Sequence, residues 1–288
     1  ELEKNIEFIK CVDKMTYGRI NTFLQEYKSQ RINHDENQAV KLAIEETFKL
    51  SFNSITDLVS IVSPKEIKFG FDDIFGIKEA KHYVHDIMKI LKEKMEYDGE
   101  SGAVYQHIFG NSVKEPKIKD PIKGFVLYGL PGTGKTMLAS AFAKECGLTF
   151  LSTTGNAFSL PYAGQGEKTV KRLFETIYQS DVPCVLFIDE IDALGNRDER
   201  SSGVINEFLV QLDGIKKNNN LFIIAATNHI ERLDKALTRS GRFDKKIAVD
   251  MPTTTEREHI FKTLVEQSEH FKNIDYEKCA RLSYNMSC

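Results

Sequence analysis

The chain has 288 residues, of which 41% are hydrophobic and 28% are charged, and its formal net charge is -3. This length is sufficient for one large domain with a buried core and a smaller unit beside it. The small negative charge and the lack of a long basic run argue against sequence-nonspecific nucleic-acid binding through bulk charge.

The five cysteines are scattered, odd in number and form no C-x-x-C pair. They argue against a disulfide scaffold or a zinc site and indicate reduced thiols in a cytosol-like compartment, which the sequence does not identify further. No apolar run approaches the roughly 18 residues that span a bilayer, so no membrane segment is predicted in this chain. Because the chain begins at Glu1 rather than Met, we expect a processed chain or a fragment, with any membrane tether outside these residues.

Residues 1–66 are predicted to form a helical N-terminal extension. Apolar residues recur at three- and four-residue steps on a charged background, in two sets that a polar linker at 28–38 separates. The second set consists of Val40, Ile44, Phe48, Ile55, Val59 and Val62. These stripes are expected to pack against each other or against the next domain, and a partner-binding coiled coil is the alternative.

Beyond residue 66, short apolar runs alternate with amphipathic stretches. The runs cover residues 124–129, 148–154, 184–189, 221–228 and 246–251. Unbroken apolar strands separated by helices are typical of a parallel sheet that is covered on both faces. We therefore predict an α/β subdomain over 67–252, with an extended surface loop at 98–121, and a partial helical lid over 253–288.

The stretch "GFVLYGLPGTGKT", residues 124–136, matches the pattern G-x-x-x-x-G-K-[ST]. Glycines here let backbone amides converge on phosphate oxygens, and the helix that follows adds its positive dipole end. We expect Lys135 to reach the β- and γ-phosphates and the Thr136 hydroxyl to hold Mg²⁺. A plain glycine-rich turn is the alternative. The predicted nucleotide-binding residues are Gly129, Pro131, Gly132, Thr133, Gly134, Lys135, Thr136 and Met137.

Two carboxylates stand at the end of the run "CVLFIDE". Asp189 is expected to orient the water shell of Mg²⁺, and Glu190, on the other face of the strand, to polarise a water for attack on the γ-phosphate. A strand that ends in surface carboxylates is the alternative. Asn228 ends another apolar run and would contact the attacking water or the γ-phosphate if the two strands are neighbours. A turn-forming asparagine is the alternative there.

Arg239 and Arg242 flank a Ser-Gly turn in "LTRSGRFDKKI". Guanidinium groups suit phosphate oxygens, and on a turn after the fourth of these strands they are expected to reach a neighbouring subunit's γ-phosphate rather than their own. Solvated surface arginines are the alternative.

In this order, "GLPGTGKT", "FIDEIDAL", "ATN" and "RSGRFD" resemble the AAA family of ATPases over about residues 71–288. The resemblance implies a P-loop NTPase sheet with a helical lid, ATP and Mg²⁺ as ligands, and a homo-hexameric ring. In such a ring Asn228 would sense the nucleotide, and Arg239 and Arg242 would act in trans as arginine fingers.

The resemblance also extends to the adenine site. "FDDIFG" is similar to the family's segment whose backbone, beside Asp73, Ile74 and Phe75, lies on the adenine. Ile260 occupies the position of the apolar adenine wall on the first lid helix, and Leu264 stands where the family often has His.

Residues 156–174 resemble the family's central pore loop. Tyr162 matches the aromatic residue that grips an extended polypeptide, and Gly164 gives the loop freedom to move. Aromatic side chains hold a peptide without reading its sequence. We therefore expect a polypeptide substrate and no nucleic acid; a half-buried loop tyrosine is the alternative.

Within the family, "IKEAKHYVHDIMKIL" and "ALTRSGRFDKKIAVDMP" resemble the FtsH and mitochondrial i-AAA protease branch. "GQGEK" and "EFLVQLDG" equally suit katanin- or spastin-like remodellers. The chain contains no H-E-x-x-H, so we expect no peptidase site in it. The expected function is an ATP-driven motor that unfolds or remodels proteins, and a nucleotide-binding scaffold with little turnover is a further alternative.

Overall fold

The computed structural model describes residues 17–30, 32, 50–74, 77–97, 123–160, 162, 164–180, 182–195, 199–214, 221–239, 241–243, 245–266 and 274–284. The predicted loop at 98–121 and the adenine-site residue Phe75 lie outside the described residues. Of the second apolar set of the N-terminal extension, only the part from residue 50 onward is described.

Six strands form one sheet. They are β1 (Ser60–Val62), β2 (Gly124–Tyr128), β3 (Thr149–Thr154), β4 (Cys184–Asp189), β5 (Leu221–Thr227) and β6 (Lys245–Ala248). The spatial order is β1-β3-β4-β5-β2-β6, in which β2 to β6 run parallel and β1 pairs antiparallel with β3. The five predicted apolar runs therefore become five parallel strands, and the predicted α/β fold class is confirmed.

The structure gives the bounds of seven α-helices. They are α1 (Tyr17–Gln30), α2 (Lys78–Tyr97), α3 (Lys135–Cys146), α4 (Gln165–Ser180), α5 (Glu199–Gly214), α6 (Thr254–Glu266) and α7 (Tyr276–Leu282). The last two lie after residue 252, and the partial helical lid over 253–288 stays a prediction. No helix among the described residues has the length and apolar character needed to cross a bilayer.

The core lies on both faces of the sheet, as a parallel sheet requires. Alternate residues of β2 point to opposite faces: Phe125 and Leu127 belong to one buried cluster, and Val126 belongs to the other. The buried residues of α2 and α3 join the first cluster, and those of α4 and α5 join the second. The carboxyl ends of the parallel strands are left to carry polar side chains.

The N-terminal region contributes to this core. Phe52, Ile55 and Val59 are buried in the cluster beneath α4, and the Thr153 hydroxyl donates to the Leu58 carbonyl at 2.8 Å. The helical pattern predicted through Val62 is wrong for its last residues, because residues 60–62 form β1 and pair with the edge of β3. The domain boundary at residue 66 stays a prediction.

We expect Phe52→Ala to lower the free energy of unfolding by about 3 kcal/mol, because a buried phenylalanine leaves a cavity when it is truncated. Its side chain is 0% exposed, whereas that of Phe69 is 48% exposed. Denaturant unfolding measures the effect, and Phe69→Ala is the matched control with little expected change. Equal losses in the two variants would contradict the packing of this segment into the sheet core.

Candidate nucleotide site

The loop between β2 and α3 is shaped by its glycines. Gly134, which precedes the helix, has φ +90°, a conformation that residues with a Cβ rarely adopt. A Cβ at Gly129 would overlap the Val249 carbonyl oxygen, so this position accommodates glycine and no residue with a side chain. The first amides of α3 have no acceptor within the helix. The loop therefore presents backbone donors and a helix N-terminus to an anion.

Lys135 lies at the centre of this site. Its Nζ donates to the carbonyls of Gly129 (2.9 Å) and Leu130 (2.8 Å) and to Oδ1 of Asn228 (2.8 Å). Burial lowers the pKa of Lys135, and the charge of Asp189 partly opposes that shift. The three hydrogen-bond partners of this buried ammonium group are neutral oxygens. An anion that binds beside it therefore stabilises its charge. The residues therefore fit a bound phosphate.

Thr136 and Asp189 supply oxygen atoms beside the lysine. The Thr136 hydroxyl lies 3.5 Å from Oδ2 of Asp189, and the other oxygen of that carboxylate accepts the backbone N–H of Glu190 at 2.9 Å. Hydroxyl and carboxylate oxygens are ligands that Mg²⁺ accepts, directly or through water. This pair fits the predicted magnesium position. The Thr133 hydroxyl has a different role, since it donates to the Leu130 carbonyl at 3.0 Å and holds the loop.

Glu190 does not continue the strand. Because β4 ends at Asp189, Glu190 does not occupy the opposite strand face as predicted but has φ +50° and an exposed side chain. A residue with a Cβ held in this region costs on the order of 1–3 kcal/mol, and such strain clusters at functional sites. The Glu190 carboxylate accepts a hydrogen bond from Nδ2 of Asn156 at 2.8 Å.

Asn156 is a site residue that the sequence prediction missed. It follows the carboxyl end of β3, the neighbour of β4, and a Cβ at the preceding Gly155 would overlap the Glu190 carbonyl oxygen. Its signal in the sequence is a polar residue just beyond a predicted strand. That signal gains meaning only once β3 and β4 are known to be adjacent.

Asn228 lies at the end of β5, and β5 is a neighbour of β4 as the prediction required. The Thr227 hydroxyl donates to Oδ1 of Asp192 at 2.5 Å and accepts the His229 N–H at 2.9 Å. These bonds fix the backbone on both sides of Asn228, whose side chain reaches Lys135. Asp192 was also missed in the sequence prediction.

The residues predicted for the adenine lie on two elements. Oδ2 of Asp73 accepts the Gly70 N–H at 2.7 Å and closes the short turn Phe71–Asp73. Ile74 is buried, and the contact of its backbone with adenine stays a prediction. Ile260 lies on α6 and is half-buried. Met137 is partly buried and packs against the core. Pro131 and Gly132 are exposed at the tip of the phosphate loop.

The two predicted arginines have different surroundings. Arg239 is exposed, whereas Arg242 forms a bidentate pair with Asp213, with Nε to Oδ1 at 3.1 Å and Nη2 to Oδ2 at 2.9 Å. The hydrogen bond to Asp213 raises the pKa of Arg242. The Arg242 side chain therefore reaches a carboxylate of its own chain.

Tyr162 is 70% exposed, so it is not the half-buried loop tyrosine that was the alternative. Its carbonyl accepts the Gln165 N–H at 3.2 Å, and Gly164 has φ +78° between them. This turn leads directly into α4. The tyrosine ring is thus free to contact a ligand from solvent.

The comparisons agree with this geometry. Residues 125–251 match the model of the ATPase family associated with various cellular activities (AAA). The chain is 40% identical over 226 residues to an ATP-dependent zinc metalloprotease FtsH of Burkholderia pseudomallei, which covers 75% of this chain and 31% of that protein. It is 34% identical over 255 residues to YME1, a subunit of the mitochondrial inner membrane i-AAA protease supercomplex of Saccharomyces cerevisiae, which covers 87% of this chain and 32% of that protein.

A solved structure, the FIGL-1 AAA domain in complex with ADP, is also similar. It superposes with a TM-score of 0.61 at 30% sequence identity and covers 81% of this chain and 72% of that one. The match spans only about a third of the length of the curated relatives.

Proposed function

Because the chain belongs to the AAA family of ATPases, we propose that it hydrolyses Mg²⁺-ATP and uses the energy to unfold or remodel protein substrates. AAA proteins bind nucleotides, and they typically form oligomers that act on proteins. The relatives FtsH and YME1 are named as ATP-dependent proteases or as a protease subunit. We propose that this chain is the motor part of such a protease, with the peptidase domain outside these residues.

One observation carries the nucleotide part of the proposal. Lys135 joins the phosphate loop to Asn228, and Thr136 and Asp189 lie beside it. The three hydrogen-bond partners of this buried lysine are neutral oxygens, so a bound phosphate would stabilise its ammonium group more than they do. A triphosphate would replace these oxygens as the acceptor of the lysine hydrogens, which explains why the side chain is kept buried and charged.

The positions of the carboxylates support the proposed hydrolysis. Glu190 would take a proton from the water that attacks the γ-phosphate, since its carboxylate is exposed at the strand end beside Asp189. Asn156 would hold that carboxylate until the water and the phosphate are in place. Lys135 would offset negative charge that develops on the phosphate. A magnesium ion bound at Thr136 and Asp189 would supply further charge neutralisation.

We propose a homo-hexameric ring as the active form. The arginines predicted to act in trans, Arg239 and Arg242, would then complete the site of the neighbouring subunit, and turnover would depend on assembly. The proposal predicts that ATP hydrolysis per subunit rises with protein concentration.

The substrate proposal rests on Tyr162. We expect Tyr162→Ala to weaken the affinity for an unfolded protein by roughly fivefold, since an aromatic contact contributes about 1 kcal/mol beyond its buried area. The measurement is the concentration of unfolded casein that gives half-maximal stimulation of ATP turnover. Tyr162→Phe, which keeps the ring, is the matched control. Stimulation by single-stranded DNA and not by casein would contradict a protein substrate.

Two other functions remain as alternatives. The similarity to FIGL-1 favours a remodeller without a peptidase, and sequence beyond these residues that lacks H-E-x-x-H would support it. A nucleotide-binding scaffold would bind ATP without turnover. Measuring phosphate release from the assembled protein separates the scaffold from both motors.

A further inference from the structure

Arg239 begins a tight turn, and the residues on both sides of that turn are buried. The Arg242 N–H donates to the Arg239 carbonyl at 3.1 Å, and Gly241 between them has φ +85°. A turn that needs a positive φ at its third residue favours glycine there. Leu237 and Phe243 are buried before and after the turn, and the Phe243 N–H donates to the Leu237 carbonyl at 3.1 Å.

Arg242 uses all three of its guanidinium nitrogens within its own chain. Two of them bind the Asp213 carboxylate at 3.1 and 2.9 Å, and Nη1 donates to the Ala236 carbonyl at 2.8 Å. Its side chain is only 18% exposed. One pair of bonds ties the turn to α5, and the third ties it to the residue just before Leu237.

The contacts of the two arginines decide which guanidinium group has a positive charge that no carboxylate of its own chain balances. A guanidinium group that stabilises phosphate in a neighbouring subunit needs an unbalanced positive charge and donors directed outward. Arg242 has its charge matched by a carboxylate, and reaching a neighbour would leave that carboxylate without this partner. Arg239 is exposed, and within the described part of the chain no ion pair or side-chain hydrogen bond involves its guanidinium group.

Asp213, the partner of Arg242, lies in the last turn of α5, whose carbonyls accept hydrogen bonds from other elements. The Tyr178 hydroxyl donates to the Gln211 carbonyl at 3.2 Å, and Nζ of the buried Lys123 donates to the Leu212 carbonyl at 2.9 Å. The last turn of α5 contains no basic residue of its own, so these donors satisfy carbonyls that a helix end leaves without partners. Asp213 follows directly, and its position is therefore set by the sheet and by α4.

From this arrangement we infer that Arg242 is a positioning residue that acts through Asp213, and that Arg239 alone contacts the nucleotide of the neighbouring subunit. The inference rests on the proposed function, because it assigns roles within a ring that hydrolyses ATP. It divides two arginines that the sequence treats as equivalent. It also gives Asp213 a role in turnover, although Asp213 is not expected to contact ATP.

Asp213→Asn is the discriminating variant. It keeps the size of the side chain and removes the charge that holds Arg242. We expect kcat for ATP to fall about 10- to 100-fold with KM little changed, because a small displacement of a catalytic group costs that much. Arg242→Ala should give a similar loss. If Arg242 instead contacted the neighbour's phosphate, freeing it from Asp213 would leave kcat unchanged or raise it, and that result would overturn the inference.

The exchanged pair, Asp213→Arg with Arg242→Asp, provides a second readout. It restores the link between α5 and the turn, so kcat should recover most of the loss seen in Arg242→Ala. A phosphate-binding arginine could not be rescued in this way. If the exchanged pair fails to fold, as judged by circular dichroism, the Asp213→Asn result decides alone. Exchanging the exposed pair Glu277 and Arg281 on α7 controls for charge reversal and should leave kcat near that of the wild type.

The wild-type chain, assayed under the same conditions, separates the two levels of the proposal. If the assembled wild type releases no phosphate, the proposed hydrolysis fails before the role of Arg242 is in question. If it does release phosphate and Asp213→Asn does so equally fast, only the inference on Arg242 fails.

Discussion

Glu190→Gln is expected to lower the turnover number for ATP by about 10²- to 10⁴-fold, the contribution of a positioned general base. The amide has the size of the carboxylate but does not accept a proton from water. The residue keeps its left-handed backbone and stays within reach of Asn156, so the phosphate loop and its affinity for ATP should change little. Phosphate release and binding of a fluorescent ATP analogue measure the two effects separately.

The control for this variant is Glu175→Gln, which removes one carboxylate from the exposed face of α4. It should leave both turnover and binding near those of the wild type. Unchanged phosphate release in Glu190→Gln would rule out the hydrolytic role of this residue. Loss of ATP binding in that variant would show instead that Glu190 supports the shape of the site.

Much of the fold could be predicted because buried parallel strands need unbroken apolar runs. Each of the five runs became a strand, and the runs determine the α/β class without any knowledge of their order. The antiparallel strand β1 was missed. Its three residues are too few to show an alternating pattern, and the spacing of Ile55, Val59 and Val62 fits a helix equally well.

The candidate site was predicted wherever its residues are neighbours in sequence. Lys135 and Thr136 follow the glycines of one loop, and Asp189 ends one apolar run. The contacts that were missed join residues far apart in sequence, such as Asn156 with Glu190 and Arg242 with Asp213. They depend on which strands lie side by side and on where α5 ends, and no local pattern contains that information.

The strain at Glu190 also could not be predicted. Asp189 and Glu190 were predicted to lie on opposite faces of one strand, whereas the backbone of Glu190 has a positive φ and leaves the strand. Gly155 on the neighbouring segment makes that turn possible, since its missing side chain leaves room for the Glu190 carbonyl. A local sequence pattern describes one strand end at a time, but this geometry depends on the ends of two neighbouring strands, β3 and β4.

Arg239→Ala is expected to reduce turnover by about 10³-fold or more, which is the usual contribution of an arginine that stabilises phosphoryl transfer. Its exposed side chain has no described partner in its own chain, so the free energy of unfolding should change little. The measurement is phosphate release from assembled protein. Arg232→Ala, which truncates another exposed arginine, is the matched control and should keep near wild-type turnover.

Mixing two inactive variants tests whether Arg239 acts between subunits. In a ring assembled from equal amounts of Arg239→Ala and Glu190→Gln subunits, about a quarter of the interfaces pair an intact Glu190 with an intact Arg239 of the neighbour. Turnover should therefore reappear on mixing, although neither variant is active alone. An arginine that serves its own subunit predicts no recovery, because every subunit in the mixture carries one of the two defects. Recovery that requires assembly and disappears on dilution would locate the finger in the neighbouring chain.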